Sequence, residues 1–553
     1  MARTVIETST AAADGRNPSP GPGPGPGADE GPAGGRSNPE PPAFDKRSLG
    51  FVVAALFVAM LLAALDQTIF GTALPTIVGD LSGVDQMLWV TTAYILAATI
   101  MMPVYGKLGD LFGHKVLFFS GLTLFLGGSV LGGLAHNMPV LIGARGIQGL
   151  GGGGLMILSM AIIADIVPAR QRGKYMGIMG SAWAFASVLG PILGGWFADS
   201  IGWRWAFWFN LPLGAFAIVM AAAFLKMPVQ KKARSKLDTL GMVTMALATT
   251  AIILVTSWGG REYAWGSPLI LGLIGAAVVG GALFVFVESK ATEPVIPLSL
   301  FRDRNFNLTT VGGLLSSIAF FGVIIYMPTY LQMVTGLSAT KSGLLLVPLS
   351  VGILSTSLGS GALASKTGRY KWMPLASLLV LGVSLFLLST LTVDTSLWLT
   401  CFYTFLTGVG TGLGIQILVL IVQNSFPVTQ VGTATGAHSF FRQIGASLGS
   451  AAIGTLFTSR LMDLLPGRLA AFGANAAGAV DPHSLTPAAI AQMPEQLKTI
   501  VVSSYNEALA PVYLYIVPLM VLGFALLLFV KEKPLALTNE LPPEELSVPQ
   551  GEG

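Results

Sequence analysis

Residues 49–72 read Leu-Gly-Phe-Val-Val-Ala-Ala-Leu-Phe-Val-Ala-Met-Leu-Leu-Ala-Ala-Leu-Asp-Gln-Thr-Ile-Phe-Gly-Thr, an apolar run interrupted by one charge, Asp66. An α-helix needs roughly 20 apolar residues to cross about 30 Å of hydrocarbon, so this segment is long enough to span a membrane. A carboxylate held there costs at least about 2.5 to 3.5 kcal/mol unless a partner or a wet cavity receives it. The segment therefore predicts a membrane helix and, within it, a residue that needs an explanation.

Working outward, the same pattern recurs along the 553 residues. The expected spans are 49–72, 87–105, 116–134, 139–165, 173–198, 204–225, 239–258, 268–287, 306–330, 342–364, 372–391, 396–422, 431–458 and 509–530. Hydrophobic residues make up 53% of the chain and charged ones only 10%, against about a quarter in soluble domains, which excludes a soluble globule. Residues 1–44 are rich in Pro and Gly and read as a disordered tail. They lack a signal peptide's basic start followed by a short apolar core, so the run from Leu49 is expected to stay as an anchor.

Other classes fall away by composition. Lys and Arg number 31 and Asp and Glu 27, a net charge of +4, which gives no reason to expect nucleic acid as a partner. Cys401 is the only cysteine, and the four histidines have no ligand spacing, so no disulfide framework and no metal site are expected. No Gly-x-x-x-x-Gly-Lys-Ser/Thr string is present. The run Gly149-Leu-Gly-Gly-Gly-Gly154 formally matches a dinucleotide fingerprint, but no strand precedes it, and close helix packing explains it better. The chain is therefore read as a non-enzyme without a cofactor, driven by an ion gradient.

Basic residues assign the sides, since they collect in short cytoplasmic loops. Lys46, Arg47, Lys107, Lys115, Arg170, Arg172, Lys174, Lys226, Lys231, Lys232, Arg234, Lys236, Lys290, Arg302, Arg304, Lys366, Arg369, Lys371, Lys531 and Lys533 fall on one face. The other face has Arg204, Arg261, Lys341, Arg460, Arg468 and Lys498, so twenty stand against six. This places both termini in the cytoplasm and the segment 459–508 outside, in a multi-pass protein of the cytoplasmic membrane.

Between spans 2 and 3 the chain reads Gly106-Lys-Leu-Gly-Asp110-Leu-Phe-Gly113-His-Lys115, and a related string, Gly361-Ala-Leu-Ala-Ser365-Lys-Thr-Gly-Arg-Tyr-Lys371, lies about 255 residues later. Two copies of one turn argue for two homologous halves. The first string resembles the signature loop of the major facilitator superfamily, with Leu111 where that family usually has Arg. Leu65-Asp66-Gln67-Thr68-Ile69 running to Pro75 is similar to the first span of its fourteen-span drug:proton antiporters. The stretch from Ala182 to Gly195, ending Gly190-Pro191-Ile-Leu-Gly194-Gly195, resembles the antiporter motif of span 5. Trp203-Arg204-Trp205-Ala206-Phe207 with Asn210, Pro212 and Gly214 resembles the approach to span 6.

The resemblance covers about 48–460 and the last span, and it implies an all-α major facilitator fold with 14 transmembrane helices. Six-helix bundles are expected at 45–226 and 305–530, an inserted pair with its linkers at 227–304, and a cytoplasmic tail at 531–553. It implies a proton-coupled exporter of lipophilic, often cationic drugs, antibiotics or disinfectants, acting as a monomer in contact with membrane lipid. Export of a native lipid or a self-made metabolite would use the same fold, and a non-transporting membrane receptor or scaffold is a further reading, against which the buried charges Asp66 and Arg145 argue.

Within that frame, Asp66 is the expected proton carrier, and Arg145 and Gln148 of Arg145-Gly-Ile-Gln148-Gly149 its modulators, the alternative being a structural ion pair of Asp66 and Arg145 that ties helices together. Burial raises a carboxylic acid's proton affinity and a neighbouring Arg lowers it, so small movements would tune uptake and release. Gly106, Asp110, Gly113, Gly190, Pro191, Gly194 and Gly195 are expected to gate the conformational change. Gln67, Tyr94, Trp183, Phe320, Phe321, Tyr326, Gln416, Phe440, Phe441 and Arg442 are the candidates for a substrate cavity.

Overall fold

A computed structural model describes residues 45–83, 86–227, 237–260, 262–472 and 487–535. The tail at 1–44, part of the first basic linker and residues 536–553 lie outside the described residues. The chain is all-α, and among the described residues backbone pairing of the β type is limited to a bridge between Gly259 and Tyr263.

Fourteen helices carry the architecture. They are α1 (Lys46–Asp80), α2 (Met87–Phe112), α3 (His114–Gly133), α4 (Met138–Ile166), α5 (Ala169–Trp196), α6 (Trp205–Phe224) and α7 (Thr239–Trp258). The remaining seven are α8 (Pro268–Glu288), α9 (Arg304–Thr335), α10 (Lys341–Thr367), α11 (Trp372–Ser389), α12 (Leu397–Gln423), α13 (Val431–Phe472) and α14 (Glu495–Leu527). Local chemistry starts several of them. Asn137, Ser267, Asp303 and Ser396 each accept a hydrogen bond from the backbone N–H three residues on, the N-cap arrangement that satisfies an otherwise orphan donor.

Thirteen of these helices are long and apolar enough to cross a membrane, one fewer than the sequence predicts. The exception is α13, which is helical over the whole expected span 431–458 but is rich in Gly, Ala, Ser and Thr. It packs along α2 and α9, so its face is dictated by neighbouring helices rather than by lipid.

Two further expectations need correction. The expected loop 459–508 is largely helical where it is described: α13 continues to Phe472, a short helix covers Pro487–Ala491, and α14 starts at Glu495, while residues 473–486 lie outside the described residues. Helical turns rich in polar residues, such as Glu495–Leu509, escape a search for apolar runs. Likewise α1 runs on to Asp80, through Pro75, so Asp66 lies well inside the helix rather than six residues from its end.

The helix contacts repeat. In the first bundle α1 packs on α5, α2 on α4 and α3 on α4; in the second α9 packs on α13, α10 on α12 and α11 on α12. The bundles meet through α2 against α13 and through α5 against α10, so the same two positions of each half form the seam. The inserted α7 lies against α2 and α13, while α8 packs on α7 and is otherwise almost wholly exposed, as a lipid-facing helix would be.

Glycines set the closeness of the seam. A Cβ on Gly106 of α2 would meet Gly432 O of α13 at 2.4 Å, and one on Gly361 of α10 would meet Gly173 O of α5 at 2.2 Å. Inside the first bundle the run Gly149–Gly154 does the same for α4. Side chains at Gly149 and Gly153 would strike Tyr94 O and Ala98 O of α2, and one at Gly151 would strike Gly121 O of α3.

Candidate functional site

Asp66 is fully buried, with polar partners on α4 and α6 and a wider hydrogen-bond network that reaches α2 and α3. Arg145 of α4 forms an ion pair with its Oδ2. Gln148, one turn further along α4, donates from Nε2 to Asp66 Oδ1 at 3.0 Å and accepts from Arg145 at 2.8 Å. Asn210 of α6 reaches the same Oδ1 at 3.4 Å, and Ser129 Oγ of α3 accepts from Gln148 at 2.8 Å and from Asn210 at 3.2 Å. The guanidinium also donates to Val90 O of α2 at 3.2 Å and lies 4.0 and 4.5 Å from the ring centroids of Phe70 and Tyr94. A carboxylate held this way is positioned, dry and matched to a single cation.

Ser129, Asn210 and Phe70 were missing from the sequence-based site. Phe70 stands one helical turn after Asp66 and so shares its face. Asn210 is a lone amide in an apolar segment, the kind of residue that needs a partner in a membrane interior.

A second polar cluster sits on the seam. Asp110, at the end of α2, accepts from the Gly432 N–H at 3.0 Å, the Thr433 N–H at 2.7 Å and the Thr433 hydroxyl at 2.6 Å, all in the first turn of α13. The orphan N–H groups and dipole of a helix N-terminus favour an anion there. His114 backs this contact, with Nε2 3.4 Å from Asp110 and Nδ1 2.6 Å from Asp165 at the end of α4. Gly113 has φ of +92°, a left-handed value that glycine adopts without steric cost and that turns the chain from α2 into α3.

The homologous turn repeats the arrangement. Ser365, in the last turn of α10, accepts from the Lys174 N–H at 2.8 Å, and Arg170 of α5 donates to Ser365 O at 2.9 Å and Lys366 O at 2.8 Å. The end of the second helix in each half thus holds the start of the fifth helix of the other.

The remaining gate candidates divide. Gly190 and Gly194 of α5 lie against Thr68 and against Thr72 and Ile69 of α1, inside one bundle rather than across the seam. Pro191 removes one rung of the α5 ladder, and nothing stands within 4 Å of a Cβ on Gly195.

A central pocket lies between the bundles, lined by Met156, Gly180, Trp183, Phe320, Phe321, Ile353, Thr411, Ile415, Gln416, Arg442 and Gln443. Of the expected cavity residues it gathers Trp183, Phe320, Phe321, Gln416 and Arg442. The others lie elsewhere. Tyr94 is buried beneath Arg145, and Gln67 neighbours its hydroxyl. Tyr326 donates to Ser450 O of α13, and Phe440 and Phe441 pack with Val104, Met245 and Phe306.

A seam with two matching polar contacts, a buried acid and a central pocket define a membrane transporter built from two related bundles. The Major Facilitator Superfamily profile matches residues 56–450, and the chain belongs to that superfamily. An uncharacterized MFS-type transporter of Mycobacterium tuberculosis is 39% identical over 88% of this chain and 70% of its own. The multidrug transporter protein MdtP of Bacillus subtilis is 37% identical over 90% of this chain and 94% of its own. Among solved structures, the human organic anion transporter TETRAN has the same fold, with a TM-score of 0.59 at 15% identity, over 86% of this chain and 99% of its own. The protein is accordingly a transporter and not an enzyme.

Proposed function

We propose that this transporter exports lipophilic organic compounds across the cytoplasmic membrane in exchange for protons, working as a monomer with both termini in the cytoplasm. The observation that carries the reading is the Asp66 site, in which a fully buried carboxylate is paired with one cation and surrounded by amides. Protonation of Asp66 would release Arg145 and rearrange α1 against α4. The relatives named as multidrug transporters and efflux pumps support the direction and breadth of transport.

The latches at Asp110 and Ser365 then close the cytoplasmic side while the pocket faces out. Energy comes from the proton gradient, with no further cofactor. A substrate panel in a host lacking its own efflux pumps, wild type beside Asp66→Asn, tests the reading. A compound against which the wild type protects should lose protection in the variant, and a protonophore should abolish it. Undiminished, gradient-independent export would remove proton exchange.

A further inference from the structure

The wall of the central pocket carries a charge that no neighbouring side chain answers. Arg442 of α13 lines it, yet among the described residues no carboxylate lies within 4 Å of its guanidinium. Its Nε is buried and has no hydrogen-bond partner among the described residues. The contrast with Arg145 is direct, since that guanidinium has a carboxylate, an amide and a backbone carbonyl as acceptors.

Two more polar atoms on the same wall are buried without a partner, Trp183 Nε1 and Gln416 Oε1. A native interior seldom leaves such groups unmatched, and three around one space point to a ligand that completes them. Two of the three are donors, Arg442 Nε and the Trp183 indole N–H. Gln416 packs closely over Gly180, where a Cβ would come within 2.6 Å of its Cγ. The rest of the wall is aromatic and apolar, with Phe321 edge-on to both Trp183 and Phe320.

We infer that the pocket, whose volume is about 20 Å³ in this closed arrangement, widens during the transport cycle to take an amphipathic organic anion. Its flat apolar body lies against Trp183, Phe320 and Phe321, its carboxylate, sulfonate or phenolate on Arg442, and a donor group on Gln416 Oε1. An organic cation, the charge that the antiporter resemblance implies, would meet here an arginine and no acid among the described lining residues. This inference rests on the export reading and names the substrate class for it.

Three probes sharing one ring system separate charge from shape: 2-naphthoate, 2-naphthamide and (2-naphthylmethyl)trimethylammonium. Affinities are measured by calorimetry on the full-length protein in lipid nanodiscs, with no gradient. The wild type should hold the naphthoate about tenfold or more tighter than the amide, as a charge-assisted contact implies, with the cation weakest. Arg442→Gln should erase that preference and Arg442→Lys keep part of it. Trp183→Ala should weaken all three by a similar factor. The ranking in the wild type needs no variant to fold. A cation bound as tightly as the naphthoate, no naphthoate binding, or an unchanged ranking in Arg442→Gln would each overturn the inference. Failure here leaves proton-driven export standing, whereas a failure of gradient dependence would leave the ranking intact.

Discussion

Asp110 and Thr433 are joined twice across the seam: the Thr433 N–H and its hydroxyl reach Asp110 Oδ2 at 2.7 and 2.6 Å, from opposite bundles. The contact puts a carboxylate on the N-terminus of α13, where the helix dipole and unpaired N–H groups stabilise it. Opening the seam at this end must break all of these bonds together.

Asp110→Asn replaces that anion by a neutral amide and should cost about 1 to 2 kcal/mol of closed-state stability, shifting the open population roughly tenfold. Spin labels at Phe112 and Val428, both exposed, report the separation of α2 from the turn before α13. A distance distribution identical to that of the wild type would show that Asp110 caps the helix without holding the seam.

The glycines give a contrast. Gly106→Ala puts a methyl group 2.4 Å from Gly432 O, and Gly194→Ala puts one 2.5 Å from Ile69 O, so both must push helices apart. Overpacking of this kind costs about 1 to 3 kcal/mol. Gly195→Ala meets nothing within 4 Å and should be silent, although it stands beside Gly194 in the same span-5 string. Thermal stability in detergent and transport rate should separate the pair from the single neutral change; equal loss at all three would mean that local helix conformation matters more than packing.

Much of this molecule was legible because lipid imposes a simple rule. Apolar length marks a span, and an ionised residue inside one marks a site, so Asp66 and Arg145 stood out before any geometry was known. Helix α13 kept its helix but not its hydropathy, because a segment packed on α2 and α9 need not be apolar. Ser129 and Thr433 were not found, since a hydroxyl in a membrane helix satisfies itself on its own backbone as readily as on a distant carboxylate. Aromatic residues misled most. Phe440 and Phe441 have the same composition signal as Phe320 and Phe321, and only the register of α13 decides that they face Phe301 and Phe306 rather than the pocket.

The ion pair itself should show coupling. Arg145→Leu leaves a buried carboxylate without its cation, and Asp66→Asn leaves the cation without its carboxylate, each a loss of the order of 3 to 5 kcal/mol when uncompensated. The double variant removes both charges, so its melting temperature should fall by clearly less than the sum of the single losses. Additive losses would indicate that each residue is stabilised independently, Arg145 by Phe70, Tyr94 and Val90 O and Asp66 by its amides.

Charge bookkeeping tests the substrate class through energetics. If one proton enters for each organic anion that leaves, a cycle moves two charges in the direction favoured by an inside-negative potential. A potential of 100 mV supplies about 2.3 kcal/mol per charge, so about twice that per cycle for an anion and once for a neutral compound. In proteoliposomes with a potassium-diffusion potential and no pH difference, accumulation of 2-naphthoate should respond to the potential about twice as steeply, on a logarithmic scale, as accumulation of a neutral substrate. Equal slopes would contradict anion-for-proton exchange.

The last prediction separates binding from work at Asp66. Asparagine keeps the shape of the side chain and its reach to Gln148 and Asn210, but it cannot lose or gain a proton. The variant is held in one state of the exchange cycle, resembling the protonated acid. The central pocket is lined by none of the residues of this network, so the affinity for substrate should change by less than a few-fold. Transport driven by a gradient should stop, because no step of the cycle is then tied to proton movement, whereas downhill exchange of labelled for unlabelled substrate across the membrane should continue if the helices still rearrange. Three measurements on one purified variant therefore decide the role of this carboxylate: intact binding and exchange with lost uphill transport identify Asp66 as the proton carrier. Loss of all three would make it a structural tie between α1 and α4, and full uphill transport would place the proton elsewhere.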